Sequence, residues 1–211
     1  MLTKLTSFAT IGLQSEKIDV EVACARGDTK MYIVGLGDTA VKESEQRVKM
    51  ALRSSGYRFP TARVITVNLA PADLRKVGPR YDLAIALGVL IVNGDLIVPE
   101  EEIASMAFLG ELALDGSLRH VSGVLPAAIA CRERGIKTIV VPKQNGPEAS
   151  LIPGLTVIAA DHLKELIAIL KKERAAEQFI PPASSPAALP RDVVDFADIR
   201  GQHHCKRALE I

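Results

Sequence analysis

Several groupings of residues in this sequence have the chemical types from which sites are built. Gly35-Leu36-Gly37-Asp38-Thr39-Ala40 fits the pattern GxGxxA between a strand-like and a helix-like stretch. Such glycines let a backbone close on a pyrophosphate held at a helix N-terminus. The preceding strand, however, reads as the third of an antiparallel meander, whereas the fingerprint belongs to the first strand of a parallel βαβ unit. A tight strand-to-helix turn is therefore the favoured reading. His203-His204-Cys205 offers imidazole and thiolate, but consecutive residues on a helix point apart and no CxxC or spaced histidine partner occurs elsewhere, so no metal site is expected. Asp115, His120 and Ser122 are the residue types of a hydrolytic triad, yet nearness in sequence supplies no convergence in space, and ordinary turn and strand roles are expected. Asp73, Arg75, Lys76 and Arg80 form a mainly basic loop, held in shape by Gly78-Pro79, just before an apolar helix. Two readings stand side by side: a grip for phosphate or an acidic partner, and a solvated connection with Asp82 as helix cap.

The elements that would hold these residues follow from periodicity. Strands are predicted over 4–13, 18–25 and 31–34, where Ile18, Val20, Val22 and Cys24 alternate with polar residues. Short turns between them predict antiparallel pairing. A helix over 39–55 places Val41, Val48, Ala51 and Leu52 on one side, stops at Gly56, and carries charges of both signs as a solvent-facing helix does. Strand 63–69, the loop 70–80 and an apolar helix over 81–92 follow. Next come a strand near 107–114, a turn at Asp115-Gly116, a further strand, a helix over 123–134, strands at 137–141 and 156–159, and a last helix capped by Asp161. The pattern predicts an α/β domain over residues 1–172, antiparallel at its start. From 173 to 194 prolines, alanines and serines dominate, which reads as a linker. Residues 195–211 begin to look ordered again and end inside a helix-like stretch, so a second domain is expected to continue beyond them.

Composition narrows the classes. Lys and Arg number 26 against 25 Asp and Glu, which excludes a protein that wraps a polyanion with its whole surface; any nucleic-acid contact must be local. Three dispersed cysteines, Cys24, Cys131 and Cys205, argue against a disulfide framework and for the cytoplasm. The longest apolar run, 83–92, is about half of the ~20 residues a membrane span needs, so no membrane association is expected.

Three stretches carry a family likeness: IVGLGDTAVKESEQRVKMALRSSGYRFP, VITVNLAPADLRKVGPRYDLAIALGVL and FLGELALDGSLRHVSGVLPAA. They resemble the N-terminal domain of the magnesium-chelatase-like AAA+ ATPases of the YifB/ComM group over nearly all of residues 1–172. Gly37 and Ala84 stand where that family tends to have proline. The segment Asp195-Phe196-Ala197-Asp198-Ile199-Arg200-Gly201-Gln202 is similar to the opening of the family's AAA+ module. The resemblance implies that Ile199 and Gly201 border a nucleotide pocket whose phosphate loop, a GxxxxGK[ST] segment, is absent from this stretch. No cofactor is therefore expected here, while ATP and Mg²⁺ are expected for the full-length protein.

The same domain resembles the Lon-type peptidase domain, a two-layer α+β fold of the ribosomal-protein-S5 second-domain class. Aligning its nucleophile loop on Gly78-Pro79 puts Arg80 at the serine position, and aligning its second motif on Ser122-Gly123 puts Leu125 at the lysine position. The Ser–Lys dyad is thus lost, and no catalytic residue is expected. What the resemblance implies is a homo-oligomer, hexameric through the ATPase module, acting on single-stranded or branched DNA in competence or recombination. Arg75, Lys76 and Arg80 are then the candidate contacts to DNA or a partner subunit. The rival readings are a structural oligomerisation module and a relict peptidase or nucleotide-binding enzyme. Nothing in the sequence points to porphyrin binding.

Overall fold

In the computed structural model of the chain, which describes residues 1–12, 14–177, 179 and 198–210, strands β1 (Leu2–Ile11) and β2 (Gln14–Arg26) form a long antiparallel hairpin. Leu13, the expected end of the first strand, lies outside the described residues. Ile18, Val20, Val22 and Cys24 are buried as their alternation predicts.

The next strand departs from expectation. β3 (Lys30–Val34) does not extend the meander; it pairs in parallel with β4 (Arg63–Ala70), and α1 (Thr39–Ser54) is the crossover between them. The edge of β2 that a meander would have used is taken by β4, which pairs with it antiparallel from Asp19–Ala70 to Arg26–Arg63. A helix-length connection can return the chain to the same end of the sheet, which a short turn cannot. α1 starts at Asp38, whose carboxylate accepts from the Val41 N–H at 2.9 Å, and it buries Val41, Ser44, Val48, Ala51 and Leu52.

α2 (Asp82–Asn93) is apolar nearly all round and correspondingly buried; Gly94, left-handed at φ 85°, ends it. α3 (Glu100–Ala104) and β5 (Met106–Phe108) follow, then a separate two-stranded ribbon of β6 (Glu111–Leu112) and β7 (Leu118–Arg119). α4 (Val124–Glu133), β8 (Thr138–Pro142), α5 (Gly146–Ala149), β9 (Thr156–Ala160) and α6 (Leu163–Leu170) complete the first unit. His162, and not the expected Asp161, caps α6: its Nδ1 accepts from the Lys164 N–H at 3.1 Å. The main sheet has seven strands in the order β3-β4-β2-β1-β5-β8-β9, and β2 is antiparallel to both its neighbours while the other adjacent pairs are parallel.

Side chains along β8 and β9 go alternately to two apolar clusters. Val140 and Ile158 join α1, α2 and α6 in one, while Ile139, Val141, Val157 and Ala159 join α4 residues such as Ala127 and Cys131 in the other. That half of the sheet is covered on both faces. On the β3–β4 side Met31 and Ile65 point into the first cluster, and Tyr32 and Val34 remain half exposed. The arrangement is therefore two-layered at one end and three-layered at the other, where two layers throughout were expected.

The chain divides into two units, residues 1–181 and 182–211. In the second, α7 (His203–Glu210) is the described helix. Of the predicted linker 173–194, residues 178 and 180–194 lie outside the described residues, as do 195–197. No helix among the described residues is long and apolar enough to cross a membrane.

Candidate functional site

The β3–α1 turn is the parallel βαβ junction that a dinucleotide fingerprint requires, so the ground on which the sequence argued against one is removed. Its interior, however, is filled by the protein itself. Gly35, at φ 110°, lies so close to β4 that a Cβ there would sit 2.2 Å from the Leu69 carbonyl oxygen. The Asp38 carboxylate occupies the helix N-terminus, accepting from the N–H groups of Val41 at 2.9 Å and Gly78 at 3.0 Å. Lys76 closes the turn from the other side: its N–H donates to the Leu36 carbonyl at 3.2 Å, and its own carbonyl accepts from Asp38 at 3.0 Å. An incoming phosphate would meet a carboxylate where it needs donors.

The same contacts correct the reading of the basic loop. Lys76 was expected among the cations offered to DNA; its side chain is fully buried and its Nζ donates to the Pro71 carbonyl. Burial pushes its ammonium pKa down, with the Asp73 carboxylate opposing. Arg75 is exposed. Arg80 is half buried and donates from Nη1 to Thr10 Oγ1 at 2.7 Å.

Arg80 Nη1 also lies 3.4 Å from where a Cβ on Gly123 would sit, so the loop containing Arg80 and the start of the helix containing Leu125 face each other. Leu125 itself donates its N–H to Glu148 Oε1 at 2.9 Å, and Glu148 Oε2 accepts from Asn145 Nδ2 at 3.2 Å. Between these two segments lies a threonine hydroxyl bound to a guanidinium, which has no lone pair to take a proton. The neighbouring carboxylate is committed to a backbone N–H and an amide.

The remaining candidates are not brought together. Asp115 accepts at Oδ1 from the N–H and Oγ of Ser117, 2.9 and 2.6 Å, and its carbonyl contacts His162 Nε2; His120 and Ser122 are exposed. Among the described residues no group of three or more His, Cys, Asp and Glu side chains could hold a metal ion. In the second unit Ile199 is exposed and Gly201 takes φ 70°.

Two features escaped sequence reasoning. Asp82 was read as a cap, but it is fully buried and bound side-on by Arg47, with Nε–Oδ2 2.6 Å and Nη2–Oδ1 3.1 Å, and it accepts from the Leu112 N–H at 3.3 Å. The second is a cleft of about 460 Å³ at the C-terminal end of α1, lined by Tyr57, Phe59 and Met50 with Lys49, Arg53 and Arg58. The signal was the segment Gly56-Tyr57-Arg58-Phe59-Pro60, in which one cation stands between two aromatic rings in a chain with an aromatic content of 4%.

Comparison with known proteins gives the same direction from independent material. Residues 20–145 match the family described as subunit ChlI of Mg-chelatase. The uncharacterized protein YifB of Escherichia coli is 40% identical over 203 residues, 96% of this chain and 39% of YifB. The competence protein ComM of Haemophilus influenzae is 37% identical over 209 residues, 97% of this chain and 40% of ComM. The Lon protease of Geobacter metallireducens is 27% identical over 209 residues, 93% of this chain and 24% of the protease. The chain thus spans about two fifths of the length of YifB and ComM.

Proposed function

This chain belongs to the family of subunit ChlI of Mg-chelatase, and from that membership we infer that it is the N-terminal, non-catalytic part of a larger AAA+ ATPase that acts on DNA. The observation that carries the reading is the 37% identity to a competence protein across 97% of this chain. ATP and Mg²⁺ belong to the whole protein, with Ile199 and Gly201 at the border of its nucleotide pocket, and the whole protein assembles as a cytoplasmic homo-oligomer, a hexamer. The first unit is a Lon-peptidase-like scaffold of the ribosomal-protein-S5 second-domain type, a reading supported by the 27% identity to a Lon protease. Its role is to contact DNA or to order neighbouring subunits, because Arg80 and Leu125 occupy the places of the peptidase dyad.

The test uses the full-length protein: ATP hydrolysis with and without single-stranded and forked DNA, and strand separation on the fork. Hydrolysis stimulated by DNA and loss of the annealed strand are expected; hydrolysis indifferent to DNA with no strand separation overturns the reading. Casein cleavage by the pure 211-residue chain that disappears in Ser122→Ala would overturn the non-catalytic half.

A further inference from the structure

The cleft at the end of α1 combines aromatic rings with basic side chains. The helix stops at Ser55, Gly56 reverses the chain at φ 88°, and the Tyr57 N–H donates back to the Leu52 carbonyl at 3.0 Å. This folds residues 57–63 across the helix end. Tyr57 and Phe59 are half buried, packed against the main core on one side and lining the cleft on the other, so their rings are held in place without being hidden. Met50, 43% exposed, forms part of the floor.

The rim is basic. Arg53 and Arg58 are exposed and make no ion pair among the described residues, and Arg63 borders an adjoining recess shared with Arg58 and Phe59. Lys49 lies 5.0 Å from the Phe59 ring centroid and is bound to Glu45 at 2.6 Å; Lys171 lies 5.8 Å from the Tyr57 centroid. Of the acids nearest the lining residues in sequence, Asp28 and Glu45 are paired with Lys30 and Lys49, while Asp95 accepts from the neutral amide of Asn93. In a chain of net charge +1 this leaves a local excess of positive charge around an apolar slot.

Such a surface is poorly suited to a free phosphate, which has no use for aromatic walls, and to an apolar peptide, which has no use for unpaired arginines. Fixed rings flanked by cations are what a single strand requires: every base has a face that stacks, and the phosphates on either side take the charge. A cleft of about 460 Å³ is within the range of small-molecule pockets and is open at the rim, where a backbone could run past it. We propose that this cleft binds single-stranded DNA, with a base against Tyr57 and Phe59 and adjacent phosphates on Arg53, Arg58 and Arg63. The proposal rests on the DNA reading of the whole protein and moves the contact from the loop carrying Arg75 and Arg80 to the far end of α1.

The protein contains no tryptophan and three tyrosines, Tyr32 half exposed and Tyr81 fully buried, so the part of the quenching that Tyr57→Phe removes reports on stacking at Tyr57. The 211-residue chain is titrated with a fluorescein-labelled oligo(dT) 20-mer by anisotropy across a salt series, and with unlabelled oligo(dT) for tyrosine quenching. Wild type is expected to bind the oligonucleotide and to be quenched. Arg53→Glu/Arg58→Glu, both on the surface, should weaken binding at least tenfold and flatten the salt dependence by about 1.4 in log–log slope, the loss of two single-strand phosphate contacts. Phe59→Leu keeps an apolar group against the core while removing the ring, and should weaken binding about tenfold with the salt slope unchanged. Tyr57→Phe should bind as wild type with that part of the quench lost. Wild-type binding untouched by the double charge reversal, or lost instead in Arg75→Ala/Arg80→Ala, overturns the cleft. Absence of oligo(dT) binding at low salt overturns it as well, and DNA-stimulated ATP hydrolysis by the full-length protein then shows whether the wider DNA reading survives.

Discussion

Arg47 and Asp82 show how much a single pair can carry when it is taken out of water. Asp82 is fully buried, and its oxygens are satisfied by the guanidinium and by the Leu112 N–H, so α1, α2 and β6 are tied at one point. Removing Arg47 leaves the Asp82 carboxylate without a counterion in an apolar setting, whereas Arg47 without Asp82 keeps Glu43 at 3.6 Å and the Ala40 carbonyl at 2.7 Å. Arg47→Ala should cost about 3–5 kcal/mol in urea unfolding and Asp82→Ala less, whereas a well-packed apolar double replacement should cost far less than Arg47→Ala. A loss below about 1 kcal/mol in both single variants would mean that the pair is solvated and unimportant.

Two other buried groups set the alkaline limit. Burial pushes the Cys131 thiol from 9.0 to about 12 and the Tyr81 hydroxyl from 10.0 to about 12. In each case the folded state holds its proton where the unfolded chain releases it. Their contribution is therefore intact below pH 9 and is lost progressively between pH 9 and about 12. Cys131→Ala should flatten the first part of that decline and Tyr81→Phe the part above pH 10. Because the Tyr81 hydroxyl finds no hydrogen-bond partner among the described residues, Tyr81→Phe should also leave stability at pH 7 unchanged or raised. Unfolding midpoints from pH 7 to 11.5 check both, and a midpoint at pH 7 lowered in Tyr81→Phe would show that the hydroxyl is satisfied.

At the scale of elements, α2 packs tightly enough against the hairpin to demand a glycine. A Cβ on Gly88 would lie 2.5 Å from Val22 Cγ2 and 3.2 Å from Leu5 Cδ1. Alanine gains about 1 kcal/mol in helix propensity, but the overlap falls on side chains anchored in neighbouring strands, and overpacking costs about 1–3 kcal/mol. Gly88→Ala should therefore destabilise; a raised thermal midpoint would mean that the helix can shift outward freely. This glycine was visible in the sequence only as an interruption of an apolar run. Element type was legible almost throughout, because alternation in β2 and the buried stripe of α1 are local patterns. Pairing was not: nothing in residues 30–34 says that their partner is β4, some thirty residues on. The apolar residues of β8 and β9 likewise show that both faces are buried without saying by which helices. In the candidate site, charge was legible and accessibility was not. Lys76 looks like its neighbour Arg75 in the sequence and differs only because its backbone is bound to Leu36 and Asp38, which draws the side chain inward.

For the whole molecule, the question is where the first unit ends. The sequence placed the boundary at 172, where apolar periodicity stops, but packing continues further. Lys143 pairs with Glu177 at 3.1 Å, and Phe179 packs against the cluster formed by α4, β8 and β9, with its ring so close to Gly146 that a Cβ there would lie 2.5 Å away. A single aromatic after a run of charged residues gives no periodic signal, which is why the composition of 173–194 concealed it. The segment reaches the cluster that also holds α4, β8 and β9, so it acts as a clasp on the three-layered half. Burying half of a phenylalanine contributes about 1–2 kcal/mol. A chain ending at residue 181 should unfold in urea at the same midpoint as the 211-residue chain, since the cluster that Phe179 joins is built from residues of the first unit. A chain ending at 172 should unfold in one cooperative step at a lower midpoint, and Phe179→Ala in the full chain should reproduce most of the difference. If the chain ending at 172 matches the one ending at 181, the clasp contributes nothing and the apolar periodicity alone marks the boundary.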